Sequence, residues 1–159
     1  MSKRIPILFG TESGNAEFCA ENLAEAITEA GFRCAAIDMD DFEPEDIVKE
    51  TLVFIVTSTH GNGDPPCNAE SMLEYLQETD IDLSTLKFAV CGLGDTAFAY
   101  FAQCGKDFDA ALEKCGGRRV IERVDCDDDY DDSFEAFKTR VILYLNTQKE
   151  ELSGMSTAA

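Results

Sequence analysis

The chain has 159 residues, 45% of them hydrophobic, and a formal net charge of -19 from 13 basic and 32 acidic side chains. That length suits one domain that buries about 70% of its unfolded surface, and the hydrophobic share excludes a disordered chain. A surface this acidic repels a phosphate backbone and anionic lipid headgroups alike, so it argues against nucleic acid and membrane as partners and fits a basic protein face; solubility alone accounts for the acidity equally well.

Other classes fall with the details. No stretch approaches the roughly 20 apolar residues of a membrane span. The start, from Met1 to Gly10, has too short an apolar run for a secretory leader. Seven cysteines, an odd number with no C-x-x-C pair, read as reduced thiols in a cytoplasmic protein. His60 is the only histidine, which excludes any site built on two, such as H-E-x-x-H.

In chain order, Arg4 to Phe9 reads as a strand ended by Gly10. Ala16, Ala20, Leu23, Ile27 and Ala30 recur at helical spacing, with Gly31 as the C-terminal cap. Phe32 to Ile37 is a second strand, and Asp38 to Asp46 an acidic connection. Leu52 to Thr57 is β-branched and almost wholly apolar, as a strand buried on both faces requires. Asn68 is placed to cap a helix running through Met72, Leu73 and Leu76. Leu86 to Cys91 is the fourth strand, followed by a glycine loop from Gly92 to Ala97. Phe108, Leu112 and Cys115 mark a helix closed by Gly116-Gly117, and Arg119 to Val124 the fifth strand. Asp132 with Glu135 resembles a capping box before a last amphipathic helix through Phe134, Phe137, Val141, Tyr144 and Leu145. From Gln148 the chain turns polar and small, so the expected organisation is one domain over 1–147 and a flexible tail over 148–159.

Alternating helices and buried-type strands predict an α/β fold with a doubly wound parallel sheet and helices on both faces. Ligands of such sheets sit beyond the carboxyl ends of the strands, so the loops after strands one, three and four gather on one edge. The first, Gly10-Thr11-Glu12-Ser13-Gly14-Asn15-Ala16, offers backbone N–H groups, hydroxyls and a helix N-terminus to an anion, for which phosphate is suited. No Gly-Lys-Ser/Thr follows, so it is not a Walker loop, and an ordinary strand-to-helix turn explains it about as well. The second, Thr57 to Pro66, has His60 at its tip between small residues. A lone histidine is by itself more simply a surface residue. In the third, Gly92, Gly94 and Ala97 formally match G-x-G-x-x-A, but that fingerprint belongs to the first strand of its unit. Phe98, Tyr100 and Phe101 follow as an aromatic cluster, at least one of them suited to core packing. Six carboxylates lie within Asp125 to Asp132; an EF-hand register there would put Tyr130 at the required Gly and Ala136 at the required Glu, so a solvated or partner-docking loop is the better reading.

Taken together, three loops in one order and spacing over residues 4 to 147 resemble the flavodoxin family. Thr-Glu-Ser-Gly-Asn-Ala is similar to its phosphate loop. Ser58 to Ala69 and Gly92 to Phe101 are similar to the loops that follow strands three and four in FMN domains of diflavin reductases. With no insertion in strand five, the resemblance is to the short-chain type, and it implies a five-stranded sheet of order 2-1-3-4-5.

It further implies FMN as cofactor. Thr11, Glu12, Ser13, Gly14, Asn15 and Ala16 would hold the phosphate; Ser58, Thr59, His60, Gly61, Asn62 and Gly63 would line one side of the flavin; Gly92, Leu93, Gly94, Asp95, Phe98, Tyr100 and Phe101 would line the other. His60 and Phe98 stand where the family usually carries Trp or Tyr. The implied function is one-electron transfer, mainly between semiquinone and hydroquinone, without a catalytic residue, by a monomer. The implied partners are basic-faced: an NADPH- or ferredoxin-linked reductase and a haem or iron–sulfur acceptor. A flavin enzyme with a quinone-like substrate and an interaction module without flavin are the alternatives. A phospho-receiver domain shares the architecture, but it needs an acidic pair after strand one, where this chain has Gly-Thr-Glu-Ser-Gly.

Overall fold

The computed structural model describes residues 4–11, 14–59, 63–94, 102–127 and 131–158, with side chains to residue 149. The first strand, β1 (Ile5–Gly10), leads into α1 (Asn15–Glu29), and β2 (Cys34–Asp38) follows. Two short 3-10 turns, Met39–Asp41 and Pro44–Lys49, occupy the acidic connection and bury Met39 and Ile47. The chain continues through β3 (Leu52–Ser58), a 3-10 turn at Cys67–Ala69, α2 (Glu70–Glu78), β4 (Lys87–Leu93), α3 (Gln103–Lys114), β5 (Arg118–Arg119), β6 (Val124–Cys126) and α4 (Asp131–Ala158).

The strand pairings among the described residues are parallel, in the order β2-β1-β3-β4-β5, with β6 also on β4. Period-two alternation divides each inner strand between two cores. Ile7, Phe9, Phe54, Val56, Ala89, Cys91 and Leu93 face α1 and α4, where Leu23, Ile27, Phe137 and Val141 meet them. Leu8, Val53, Ile55, Phe88 and Val90 face α2 and α3, against Met72, Leu76, Phe108 and Leu112. The expected doubly wound α/β fold is therefore present.

Several local expectations are corrected. The fifth strand is not one run over Arg119 to Val124 but two pieces on the same edge of β4. Phe88 pairs with Arg119 while Cys91 pairs with Val124, so residues 120–123 stand opposite only Ala89 and Val90. The excess is two residues, an even number, which keeps the flanking Arg119 and Val124 on opposite faces, while within it Val120 and Ile121 both pack against the α1–α4 core. Ile121 stays buried, and Arg123 reaches back to Asp109 on α3. Asp125 and Cys126, expected in an acidic loop, belong to β6. Gly92 and Leu93, expected in a loop, end β4. Asp132 does not cap α4: the helix starts at Asp131, and both acids occupy its first turn, where the helix dipole favours negative charge. The helix continues past Gln148, where composition marks a polar tail. Among the described residues no helix is long and apolar enough to cross a membrane.

Gly92 also fixes how closely α3 approaches the sheet. A Cβ on Gly105 would stand 2.8 Å from the Gly92 Cα, and one on Gly92 would stand 3.2 Å from the Gly105 Cα. Backbone meets backbone there, with no flexible side chain to yield. Gly105→Ala is expected to lower stability by about 1–3 kcal/mol despite alanine's better helix propensity, read as a lower urea midpoint.

Candidate functional site at the carboxyl edge of the sheet

The register brings four strand ends side by side. Gly10 pairs with Thr57, Thr57 with Gly92, and Ser58 and Cys126 both pair with Leu93. The segments after β1, β3, β4 and β6 therefore leave the same edge next to one another, as the crossover rule for parallel sheets requires.

At the first loop the chain turns under close packing. A Cβ on Gly10 would meet the Ala69 Cβ at 2.7 Å and Thr57 Oγ1 at 2.9 Å. The Thr11 N–H donates to Asn68 Oδ1 at 2.9 Å, and Thr11 Oγ1 accepts the Gly14 N–H at 2.8 Å. Gly14 takes φ 94°, a left-handed conformation that glycine adopts without a Cβ penalty, and its carbonyl accepts the Phe18 N–H. No described side chain caps α1. The N–H groups of Asn15, Ala16 and Glu17 in its first turn have no residue four positions earlier within the helix to bond. A helix end that no described side chain caps, with the positive end of its dipole, suits an anion.

Asn68 is the residue that the sequence reading misplaces. It caps no helix: α2 starts at Glu70, and no side-chain cap is formed. Its amide instead bridges two other elements, accepting from Thr11 and donating through Nδ2 to Asp38 Oδ1 at 3.1 Å, at the end of β2. Asp38 Oδ1 also accepts the Asp40 N–H at 2.8 Å. An Asn just ahead of a helical pattern carries the ordinary cap signal, and nothing in its neighbours points to a partner 57 residues back.

At the second and third loops, Thr59 is the tie. Its N–H donates to the Leu93 carbonyl at 3.1 Å, and its Oγ1 accepts the Cys104 N–H at 3.0 Å, in the first turn of α3. The hydroxyl expected beside a flavin thus serves a helix terminus. Gly94 N–H donates to the Cys126 carbonyl at 2.9 Å, joining the third loop to β6. Ser58 is half-buried at the end of β3, and Gly63 takes φ 97°. Beside this loop, Asp64, Glu70, Glu74 and Asp107 line a cavity of about 500 Å³. Glu12, Ser13, His60, Gly61, Asn62, Asp95, Phe98, Tyr100 and Phe101 lie outside the described residues.

Beneath the edge, Thr57 is wholly buried, with its hydroxyl 3.4 Å from Cys104 Sγ. Burial pushes the Cys104 thiol up to about 12, and that of Cys19 likewise to about 12. Cys91 and Cys126 touch at 3.6 Å between sulfurs; this contact, followed by burial, holds the Cys91 thiol well above the ordinary range. Cys19, Cys91 and Cys104 are therefore protonated packing groups at neutral pH, while the same sulfur contact lowers the Cys126 thiol. Asp125, expected to be a solvated carboxylate, pairs with Arg123 at 2.9 Å.

A parallel sheet of this order, with α1 starting just past β1 and the ends of β3, β4 and β6 tied to one another, defines the doubly wound class of α/β proteins. The flavodoxin family model matches residues 7–139, and the chain belongs to that family. Among curated proteins it is 42% identical to the sulfite reductase [NADPH] flavoprotein alpha-component of Bacillus subtilis (strain 168), over 99% of this chain and 26% of that protein. It is 38% identical to the protein of the same name from Vibrio cholerae, over 96% of this chain and 25% of that one. The chain thus spans about a quarter of the length of these relatives. A solved flavodoxin of Streptococcus pneumonia TIGR4 superposes with a TM-score of 0.77 at 22% identity, covering 89% of this chain and 99% of its own.

The cofactor is FMN, and the described donors fit it: neutral N–H groups at the α1 terminus suit its phosphate, and Gly14 leaves their approach free of a side chain. Asn68→Ala removes the acceptor from the Thr11 N–H and the donor from Asp38. It is expected to lower stability by about 1–3 kcal/mol, measured by urea denaturation.

Proposed function

We propose that the chain carries single electrons between a reductase and an acceptor protein, chiefly at the lower of the two potentials of FMN, and has no small-molecule substrate of its own. The observation that carries the reading is the uncapped start of α1, with Gly14 left-handed and Thr11 tied to Asn68. Thr11 to Ala16 hold the phosphate there through backbone donors and hydroxyls. Residues 58–63 and 92–101 enclose the ring, with His60 and Phe98 on its faces. Bound FMN supplies the one-electron chemistry; the protein binds it, orients it and limits water around it. Carboxylates around the site disfavour added negative charge, and this lowers the potential of full reduction.

Partners follow from charge and from the relatives' names. An NADPH-linked reductase is the donor, and a haem or iron–sulfur protein the acceptor. Asp64, Glu70, Glu74 and Asp107 line an acidic cavity beside the loop after β3, and the sequence adds further acids at Asp95 and from Asp125 to Asp132; such charge suits basic partner faces. The protein works as a cytoplasmic monomer.

Titrating FMN-free protein with FMN and with riboflavin tests the pocket. Loss of two charge-assisted hydrogen bonds predicts at least about a hundredfold weaker binding of riboflavin. Equal affinities would remove the phosphate reading. Raising ionic strength from about 0.01 M to about 0.5 M is expected to slow reduction by a basic-faced reductase by about tenfold or more, as stopped-flow absorbance would show. A rate insensitive to salt would remove the docking reading.

A further inference from the structure

A single buried carboxylate holds both pieces of the divided fifth strand. Asp109, on α3, is 4% exposed. Arg119, in β5, donates to it from Nε at 2.8 Å and from Nη2 at 2.9 Å. Arg123, four residues on, donates to Asp109 Oδ2 from Nη1 at 3.0 Å.

The two arginines differ in what else they reach. Arg119 turns outward, to the exposed Glu113 at 2.6 Å, and lies over the Phe88 ring at 5.8 Å. Arg123 turns along the sheet edge toward the site, where its Nε donates to Asp125 Oδ1 at 2.9 Å. The next residue, Cys126, accepts the Gly94 N–H at 2.9 Å. Gly94 opens the segment 95–101, and the carbonyl just before it, on Leu93, accepts the Thr59 N–H at 3.1 Å.

A continuous set of bonds therefore runs from the interior of α3 to the first residue of the third loop. β6 has only three residues and is separated from β5 by two residues of excess chain, so its own pairing with β4 constrains it weakly. The planar guanidinium of Arg123 spans two carboxylates on different elements, which a lysine ammonium cannot reproduce.

We propose that Arg123, braced on Asp109, is a positioning residue for FMN: it fixes Asp125, and through the Cys126 carbonyl it sets where the segment 95–101 begins. This rests on the FMN reading of the site. Arg119, on the same carboxylate, stabilises the fold and leaves the site alone.

The test compares Arg123→Gln with Arg119→Gln in the full chain. Three quantities are read: urea stability, FMN affinity by fluorescence quenching, and hydrogen exchange of the Gly94 amide in FMN-free protein. Arg123→Gln is expected to weaken FMN binding about tenfold and to speed Gly94 exchange by a similar factor, the loss of one charge-assisted bond. Arg119→Gln is expected to lower stability while leaving both within about twofold. Arg123→Lys keeps the charge but not the bridge, and is expected to resemble Arg123→Gln. The proposal is overturned if folded Arg123→Gln protein keeps wild-type Gly94 exchange, or if the two glutamine variants move both readouts together in proportion to lost stability. If wild-type protein binds no FMN, it is the functional reading that fails, and Gly94 exchange still decides the role of Arg123.

Discussion

Four lateral hydrogen bonds across the carboxyl edge of the sheet hold the site together: Thr11 to Asn68, Thr59 to Leu93, Gly94 to Cys126, and Cys104 to Thr59. Two of them, Thr59 to Leu93 and Gly94 to Cys126, carry the parallel ladders one rung past the strand ends, and the other two use a side chain. Each joins a residue just past a strand end, or in the first turn of a helix, to a neighbouring element. Their partners exist only because Gly10, Thr57, Gly92 and Leu93 stand in register, which follows from the parallel pairing of β1, β3 and β4. A shift of register would cost more than the ladder bonds, since it would leave polar groups of the loops without partners at a half-buried edge.

The same edge must hold a dianionic phosphate on a chain whose formal charge is -19. Distance decides which effect wins. Bonds to the phosphate act across about 3 Å in a partly dehydrated turn, while most carboxylates act through water and salt beyond a screening length of about 8 Å. Neutral donors at a helix terminus can therefore outweigh a larger but remote charge. In the proposed function, the unfavourable field acts on the flavin ring, where further negative charge is resisted, so that one arrangement would both bind the cofactor and set its redox character.

The architecture was legible because buried parallel strands are apolar on both faces: Leu52 to Thr57 can be little else. Of the three loops the sequence shows the residue type, small and hydroxylated residues between a strand and a helix, a pattern that an ordinary turn also carries. What could not be read was long-range. The Asn68 amide satisfies partners 57 and 30 residues away, and its local context is that of a helix cap. The hydroxyl of Thr59 gives no sign that α3 will take it. The division of the fifth strand did leave a mark: within Arg119 to Val124 the adjacent apolar pair Val120-Ile121 and the adjacent polar pair Glu122-Arg123 break period two, and Val120 and Ile121 both pack against the α1–α4 core. The pairing of Asp125 with Arg123 was obscured by the run of acids that follows it.

That excess has a consequence for how this fold can change length. Upstream of it, β5 is held by Lys87 and Phe88; downstream, β6 is held by Cys91 to Leu93, and neither piece transmits its register to the other. Chain added between residues 120 and 123 would emerge at an outer edge, away from the site, and closing a loop twice as long costs only about 0.6 kcal/mol. The outer strand is thus a joint at which a family built on this sheet can lengthen or shorten, provided that Arg119 and Arg123 still find the same carboxylate. Elsewhere along the edge, a single added residue would part a loop from the neighbour that holds it.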